Sequence, residues 1–266
     1  MGLDEVAQEN MRARFVENPC RGIVLGKSPS GRGVQLSWIM GRSANSQNRV
    51  YVLRRDDWGE PVVSTEAADP SKVKDPSLII YNVMRQFKGF HIVSNGAQTD
   101  TVRQTFDRKG IPCPVAFARA MERYSCEPDT PIFTPRITGY HSQDGELVIS
   151  VLKADPLERE RWVGSTDSQP FEQEKFPTLM QMFEYPSVAP GFGYCVTTYK
   201  HGDSKNLPSF EGEPFVVPIQ DSLEGAMQQF WEQLDDRWRV ALAGKSFDGK
   251  EDEIKIINRF EKVQGA

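Results

Sequence analysis

The chain is poor in the residues that most often announce chemistry. It has three histidines (His91, His141, His201), and none has a second ligand at helical spacing. A metal centre is therefore not expected, and acid–base work would fall to Glu, Asp, Tyr or Lys. The four cysteines (Cys20, Cys113, Cys126, Cys195) are far apart and form no C-x-x-C pair, which argues against zinc and disulfide frameworks. No apolar run approaches the roughly 18 residues of a membrane span. The opening residues MGLDEVAQENMRARF are charged and lack the apolar core of a signal peptide, so a cytoplasmic location is expected. Positive charge is not in surplus: the net charge is −5 and the pI about 5.4. That excludes a broad nucleic-acid surface, and any anion site must be a local pocket. Neither G-x-G-x-x-G nor G-x-x-x-x-G-K-[ST] occurs, and Gly26-Lys27-Ser28 lacks the upstream glycine of a phosphate loop.

What is present describes an ordinary globular chain: 266 residues, 38% hydrophobic and 26% charged. The length suits one large or two small domains. The stretch Trp38–Tyr51, WIMGRSANSQNRVY, stands out because two strand-like ends enclose a polar insert. That insert holds Arg42, Ser43, Asn45, Ser46, Asn48 and Arg49, with no carboxylate. Arginine suits phosphate and carboxylate oxygens, while Ser, Asn and free backbone N–H groups complete an anion pocket. The alternative is a solvated loop with two surface arginines.

Taken in order, residues 3–14 read as a short helical lead-in. Residues 21–26 read as a strand, Ser28–Gly31 as a turn and Gly33–Met40 as the return strand. Residues 54–74 look irregular and exposed. Leu78–Tyr81 and Phe90–Val93 read as short strands. A second donor-rich insert, Ser94–Asp100, follows, with Asn95-Gly96 as a tight turn and Thr99 as the cap of a helix stopped at Gly110. A strand end, a turn and a helix start together form a candidate anion or carbonyl site, or an ordinary connection. Pro114 opens a helix with Phe117, Met121 and Tyr124 on one side. Glu127-Pro128-Asp129-Thr130 precedes Thr134-Pro135-Arg136-Ile137, either as a surface turn with an ion pair or as a catalytic carboxylate beside a substrate. Asp144-Gly145 marks a two-residue hairpin. Residues 155–190 read as a charged, irregular excursion from the domain. Strand pattern resumes over 193–199. Asp221-x-x-Glu224 resembles a capping box before a helix over 222–235, and 238–243 closes the pattern with a strand. Strands and helices segregate, which predicts an α+β chain of antiparallel sheets with helices packed outside.

Four segments in order carry a family resemblance: RGIVLGKSPSG, GRSANSQNRV, Ile80-Tyr81-Asn82 followed by VSNGAQTD, and TPRI after Glu127. Together they resemble the archaeal-type IMP cyclohydrolase family, closely over about residues 20–140 and more loosely beyond. The resemblance implies a single domain over 1–266, comprising an N-terminal lead (1–18), the 155–190 excursion and a four-layer αββα sandwich of two mainly antiparallel sheets. That fold is N-terminal-nucleophile (Ntn)-hydrolase-like without the processed nucleophile. It implies closure of formamido-imidazole-carboxamide ribotide to inosine monophosphate with loss of water, using no metal and no organic cofactor. Arg49, Tyr81 and Glu127 match the family's active site: Glu127 as proton acceptor and donor, Tyr81 and Arg49 as donors to oxygen. Arg42, Ser43, Asn48 and Lys27 are assigned to the ribose phosphate. Ser94, Asn95, Gly96, Thr99 and Asp100 are assigned to the base or ribose, with Asn82 and Arg136 beside the catalytic groups. The sequence departs from the family at Met40-Gly41-Arg42-Ser43, where a pair of serines is expected. The expected partner is a small purine ribotide, with no nucleic acid and no membrane. Homo-oligomerisation is left open. Two rival functions are an amidohydrolase activated at Cys20 and a purine-nucleotide-binding protein without turnover.

Overall fold

The lead-in is helical, as its charge pattern predicts. In α1 (Leu3–Arg14) acidic residues occupy the first turn and basic ones the last, which complements the helix dipole. The computed structural model describes residues 2–15, 20–73, 79–129, 132–142, 144–164, 176–200 and 207–262. β1 (Gly22–Lys27) and β2 (Gly33–Met40) form the expected hairpin. The arginine insert then winds a single turn, α2 (Ala44–Gln47), capped by Ser43.

The next region overturns the expectation of an irregular 54–74. β3 (Val50–Arg55) and β4 (Pro61–Glu66) are a regular antiparallel hairpin, followed by a 3-10 turn at Pro70–Lys72. β4 hides in the sequence because its buried side chains include Ser64, Thr65 and Glu66. The strand expected at 78–81 begins later, as β5 (Asn82–Phe87). The Thr65 hydroxyl donates to the carbonyl of Ile79 at 2.6 Å and accepts from the Tyr81 amide, so these apolar residues close a loop instead. Leu78 lies outside the described residues.

β6 (Phe90–Ser94) leads into α3 (Gln98–Lys109), which ends at Gly110 in the left-handed conformation, φ 72°. Thr99 does not cap this helix: its hydroxyl donates to the Gly96 carbonyl, and no side chain caps the first turn. In α4 (Pro114–Met121) Cys113 is the cap and Pro114 the first residue. β7 (Arg136–Ser142) and β8 (Leu147–Ala154) flank the Asp144-Gly145 turn, with Gly145 at φ 94°. The 155–190 excursion contains a helix, α5 (Pro156–Gly164), and an edge strand, β9 (Thr178–Tyr185), paired with β8; residues 165–175 lie outside the description. β10 (Phe192–Thr197), β11 (Phe215–Pro218) and α6 (Leu223–Gln233) follow. Ser222 caps α6, whereas the expected cap Asp221 accepts from the amide of Ser30. The final strand is longer than expected, β12 (Arg239–Phe247), and pairs with an unforeseen β13 (Asp252–Asn258).

The chain is α+β, with six helices among the described residues and two antiparallel sheets. One sheet has the order β11-β10-β1-β2-β12-β13, the other β3-β4-β5-β6-β7-β8-β9. Their faces meet in one cluster joining Ile23, Leu25 and Ile39 to Val93, Ile137 and Ile149. Gly139 permits the closest approach, since a Cβ there would stand 2.9 Å from a Leu25 methyl. Polar bonds also cross between the sheets, three of them from β2 and β12. Gln35 donates to the His91 carbonyl at 2.7 Å, Ser37 meets the Tyr51 hydroxyl at 3.3 Å, and Lys245 donates to Gln86. α3 and α4 pack over β5, β6 and β8, with Phe106 and Phe117 against Tyr140. α6 packs on β12, and Trp38 sits between Phe15 and Phe230. No described helix is long and apolar enough to cross a membrane.

Candidate active site

The site is built where β1 begins. Arg21 immediately precedes that strand, and the residue is only 6% exposed. It grips both carboxylate oxygens of Glu127, at 2.8 and 2.7 Å, and donates to the Asn95 carbonyl at 3.0 Å. Burial opposes the charge on Arg21, yet Glu127 more than offsets it and raises the guanidinium pKa well above its ordinary value. Glu127 was expected to answer to Arg136, but that guanidinium stays 3.9 Å away, bonded to Ser125 and Gln98 and lying over Tyr124. The backbone fixes Glu127 as well, through its amide to the Thr134 carbonyl at 2.8 Å.

Arg21 and Glu127 form the floor of a cavity of about 360 Å³. Arg42, Ser43 and Arg49 of the arginine loop reach the same cavity. The loop closes tightly because Gly41 packs on the Ser46 carbonyl, 2.6 Å from where a Cβ would lie. Ser43 and Ser46 bond one another, and Arg49 donates through Nε to the Ser46 carbonyl at 2.9 Å. The two terminal nitrogens of Arg49 make no hydrogen bond among the described residues, though the residue is only 5% exposed. Tyr81 stands within electrostatic reach of Arg21 and Tyr51, and its buried hydroxyl has no partner among the described residues.

The remaining sequence candidates divide. Asn48 is turned away, its amide bracketing Asp69 by bonds of 2.9 and 2.7 Å. Lys27 lies at the Gly145 turn, beside His141, and not in this cavity. Ser94, Asn95, Gly96 and Thr99 are buried behind Arg21; the Asn95 side chain binds Pro135, Ile137 and Gln98 and so ties the 94–99 turn to β7. Asn82 donates to both oxygens of Asp100, which also pairs with Arg85, and these two border a separate cavity of about 560 Å³ with Tyr81 and Lys262.

Sequence reasoning gave no role to Arg21 or to Asp129 individually, nor to Thr134 and Tyr199. Asp129 accepts from the Thr134 amide at 2.7 Å and from its hydroxyl, and Thr134 Oγ1 lies 2.6 Å from the Tyr199 hydroxyl. Burial, with Glu127 nearby, pushes the Asp129 carboxyl up to about 6. The one signal in the sequence was the acidic pair itself, Glu127-x-Asp129. Among the described residues no three His, Cys, Asp or Glu side chains gather as a metal site would require.

No curated protein matches the chain. The sequence model of one family, described as IMP cyclohydrolase-like protein, matches residues 19–252, a span that holds every element from β1 to β12 and the residues named above for the cavity at Arg21 and Glu127. The chain belongs to the IMP cyclohydrolase-like family.

Proposed function

We propose that the protein closes formamido-imidazole-carboxamide ribotide to inosine monophosphate and releases water. The observation that carries this reading is a half-enclosed cavity with two kinds of wall. One wall is cationic and donor-rich, with Arg42, Ser43 and Arg49, and suits the ribose phosphate and a developing oxyanion. The other holds carboxyls, Glu127 and Asp129, fit to move protons. Membership of the family supports the same reaction.

The chemistry needs what these walls offer. The carboxamide nitrogen is a weak nucleophile, so holding it against the formyl carbon is much of the catalysis; orientation alone supplies up to about 7–11 kcal/mol. In this reading Arg49, whose terminal nitrogens make no hydrogen bond among the described residues, donates to the formyl oxygen as it gains charge, and Tyr81, on the neighbouring cavity and within electrostatic reach of Arg21, supports it with a hydroxyl that has no partner among the described residues. Arg42 and Ser43 hold the phosphate. Glu127, with both oxygens on Arg21, shapes the floor against which the ring closes. The domain is read as a single unit over 1–266, layered αββα and Ntn-hydrolase-like, with the cavity at one end of the space between its sheets.

The test is an absorbance assay of the formamido ribotide with purified protein and no added metal, beside calorimetry of inosine monophosphate. Ring closure above the uncatalysed rate is expected. Tight binding of inosine monophosphate without turnover would replace the enzyme with a nucleotide-binding protein. Neither binding nor turnover would remove the purine ribotide altogether.

A further inference from the structure

We propose that Asp129, relayed through Thr134 and Tyr199, is the proton carrier of this ring closure, and that Glu127 is a positioning residue. The inference rests on the cyclohydrolase reading above and names who moves its protons.

The geometry separates two carboxyls that stand two residues apart on one loop. Both oxygens of Glu127 are held by the buried Arg21 guanidinium, at 2.8 and 2.7 Å. Protonating that carboxylate would strand a buried cation, which is costly, so Glu127 is badly placed to shuttle protons. Among the described residues Asp129 has no such partner. Its two oxygens accept from the Thr134 amide and the Thr134 hydroxyl, both neutral donors. A neutral carboxyl keeps a role here: its O–H donates to Thr134 Oγ1, which in turn donates to Tyr199. Thr134 Oγ1 and the Tyr199 hydroxyl are 2.6 Å apart, and either can be the donor. The chain therefore runs in both directions, and Asp129, Thr134 and Tyr199 all border the cavity.

The surroundings agree. Asp129 is pushed up to about 6 by burial and by Glu127, while its bonds to Thr134 and the charge of Arg21 pull the other way. Cys126, also facing it, is pushed up to about 11 by burial and remains a thiol. Burial raises the Tyr199 phenol far above its ordinary range, with Cys20 adding to the effect, so Tyr199 relays as a neutral hydroxyl. A base that titrates near neutrality is suited both to take a proton and to return it.

The step balances. The carboxamide nitrogen bonds to the formyl carbon, and one of its protons passes to Tyr199 as Tyr199 gives its own to Thr134 and Thr134 gives its own to Asp129. The relay then reverses, and Tyr199 delivers a proton to the former formyl oxygen as Asp129 gives its own back to Thr134. The proton of the formamido nitrogen joins it there, the carbon–oxygen bond breaks, and water leaves as the carbon–nitrogen double bond forms to that nitrogen. Asp129 ends as it began.

The experiment compares pH profiles of kcat for the wild type, Asp129→Asn, Glu127→Gln and Tyr199→Phe, with a carboxyl-carbon NMR titration of aspartate-labelled wild-type protein. The wild-type rate should fall below about pH 6 as Asp129 takes up its proton, and one aspartate resonance should titrate in the same range. Asp129→Asn should lower kcat by about a hundredfold or more and erase that acid limb, leaving inosine monophosphate affinity nearly unchanged. Tyr199→Phe should lower kcat and keep the limb. Glu127→Gln should keep the limb too, whatever it does to rate. An Asp129→Asn enzyme that retains the limb, a Glu127→Gln enzyme that loses it, or the lack of a titrating aspartate overturns the relay alone. A wild type that closes no ring overturns the reaction and the relay with it.

Discussion

The Arg21–Glu127 pair makes a measurable demand on stability. The two side chains are 8% and 6% exposed and share two short hydrogen bonds. Arg21→Met keeps the aliphatic stem but leaves Glu127 as a buried, unpaired charge. Breaking a buried pair from one side costs about 3–5 kcal/mol. For a chain of 266 residues each kcal/mol lowers Tm by about 2 °C, so Arg21→Met should melt about 6–10 °C below the wild type. Glu127→Leu should cost a similar amount for the mirror-image reason. The double variant leaves no charge stranded, and its loss should fall short of the sum by about 2 kcal/mol or more. Arg21→Lys should not rescue, because a single ammonium cannot hold both carboxylate oxygens and the Asn95 carbonyl in one plane. Urea unfolding of the four proteins supplies the cycle. Additive losses would refute the coupling, and a loss below about 1 kcal/mol for Arg21→Met would show that water reaches the pair.

Three further outcomes are expected. His91 and His141 are buried neutral, held down to about 2 and about 3 chiefly by burial, with Lys245 and Lys27 adding positive charge. Their folded values lie below the ordinary 6.5, so the unfolded chain binds protons first as pH falls. Their contribution is full well above about pH 6.5 and falls by about 4 kcal/mol as the pH drops from about 8 to about 5, as urea midpoints will report; a flat profile refutes it. Arg42→Ala should weaken inosine monophosphate binding by about 1.5–3 kcal/mol, the range of a charge-assisted hydrogen bond, and unchanged calorimetry removes Arg42 from the site. Gly22→Ala places a Cβ 1.9 Å from the Trp38 ring and should cost about 1–3 kcal/mol with altered tryptophan fluorescence; wild-type stability refutes that packing.

The opening hairpin was legible because Ser28–Gly31 is turn chemistry between two apolar runs. α3 and α4 were legible from Gly110 and Pro114, residues whose backbone needs leave few alternatives. β4 and β5 were not, because hydrophobicity misleads at both places: Thr65 and Glu66 are strand residues with buried polar bonds, while Ile79 and Tyr81 are apolar loop residues tied down by Thr65. The arginine loop announced itself by composition, since local donors were crowded into a few positions. Asn48 has that composition yet serves Asp69, a distinction only the fold makes. Arg21 was invisible for a different reason. Its partner lies 106 positions away, and no local pattern records a pairing made by folding two sheets together.

Those two sheets are pinned against sliding. Gln35 and Ser37 of β2 and Lys245 of β12 bond across to the opposite sheet, and beyond them Arg21 reaches Glu127, so the polar anchors lie on two strands as well as at the strand entrance. A shear of a few ångströms would break every one of these bonds at once, with no partner waiting at the new register. The cavity bordered by Arg21, Glu127 and the arginine loop thus sits on a frame whose two halves keep their register, and a bound molecule meets it already aligned.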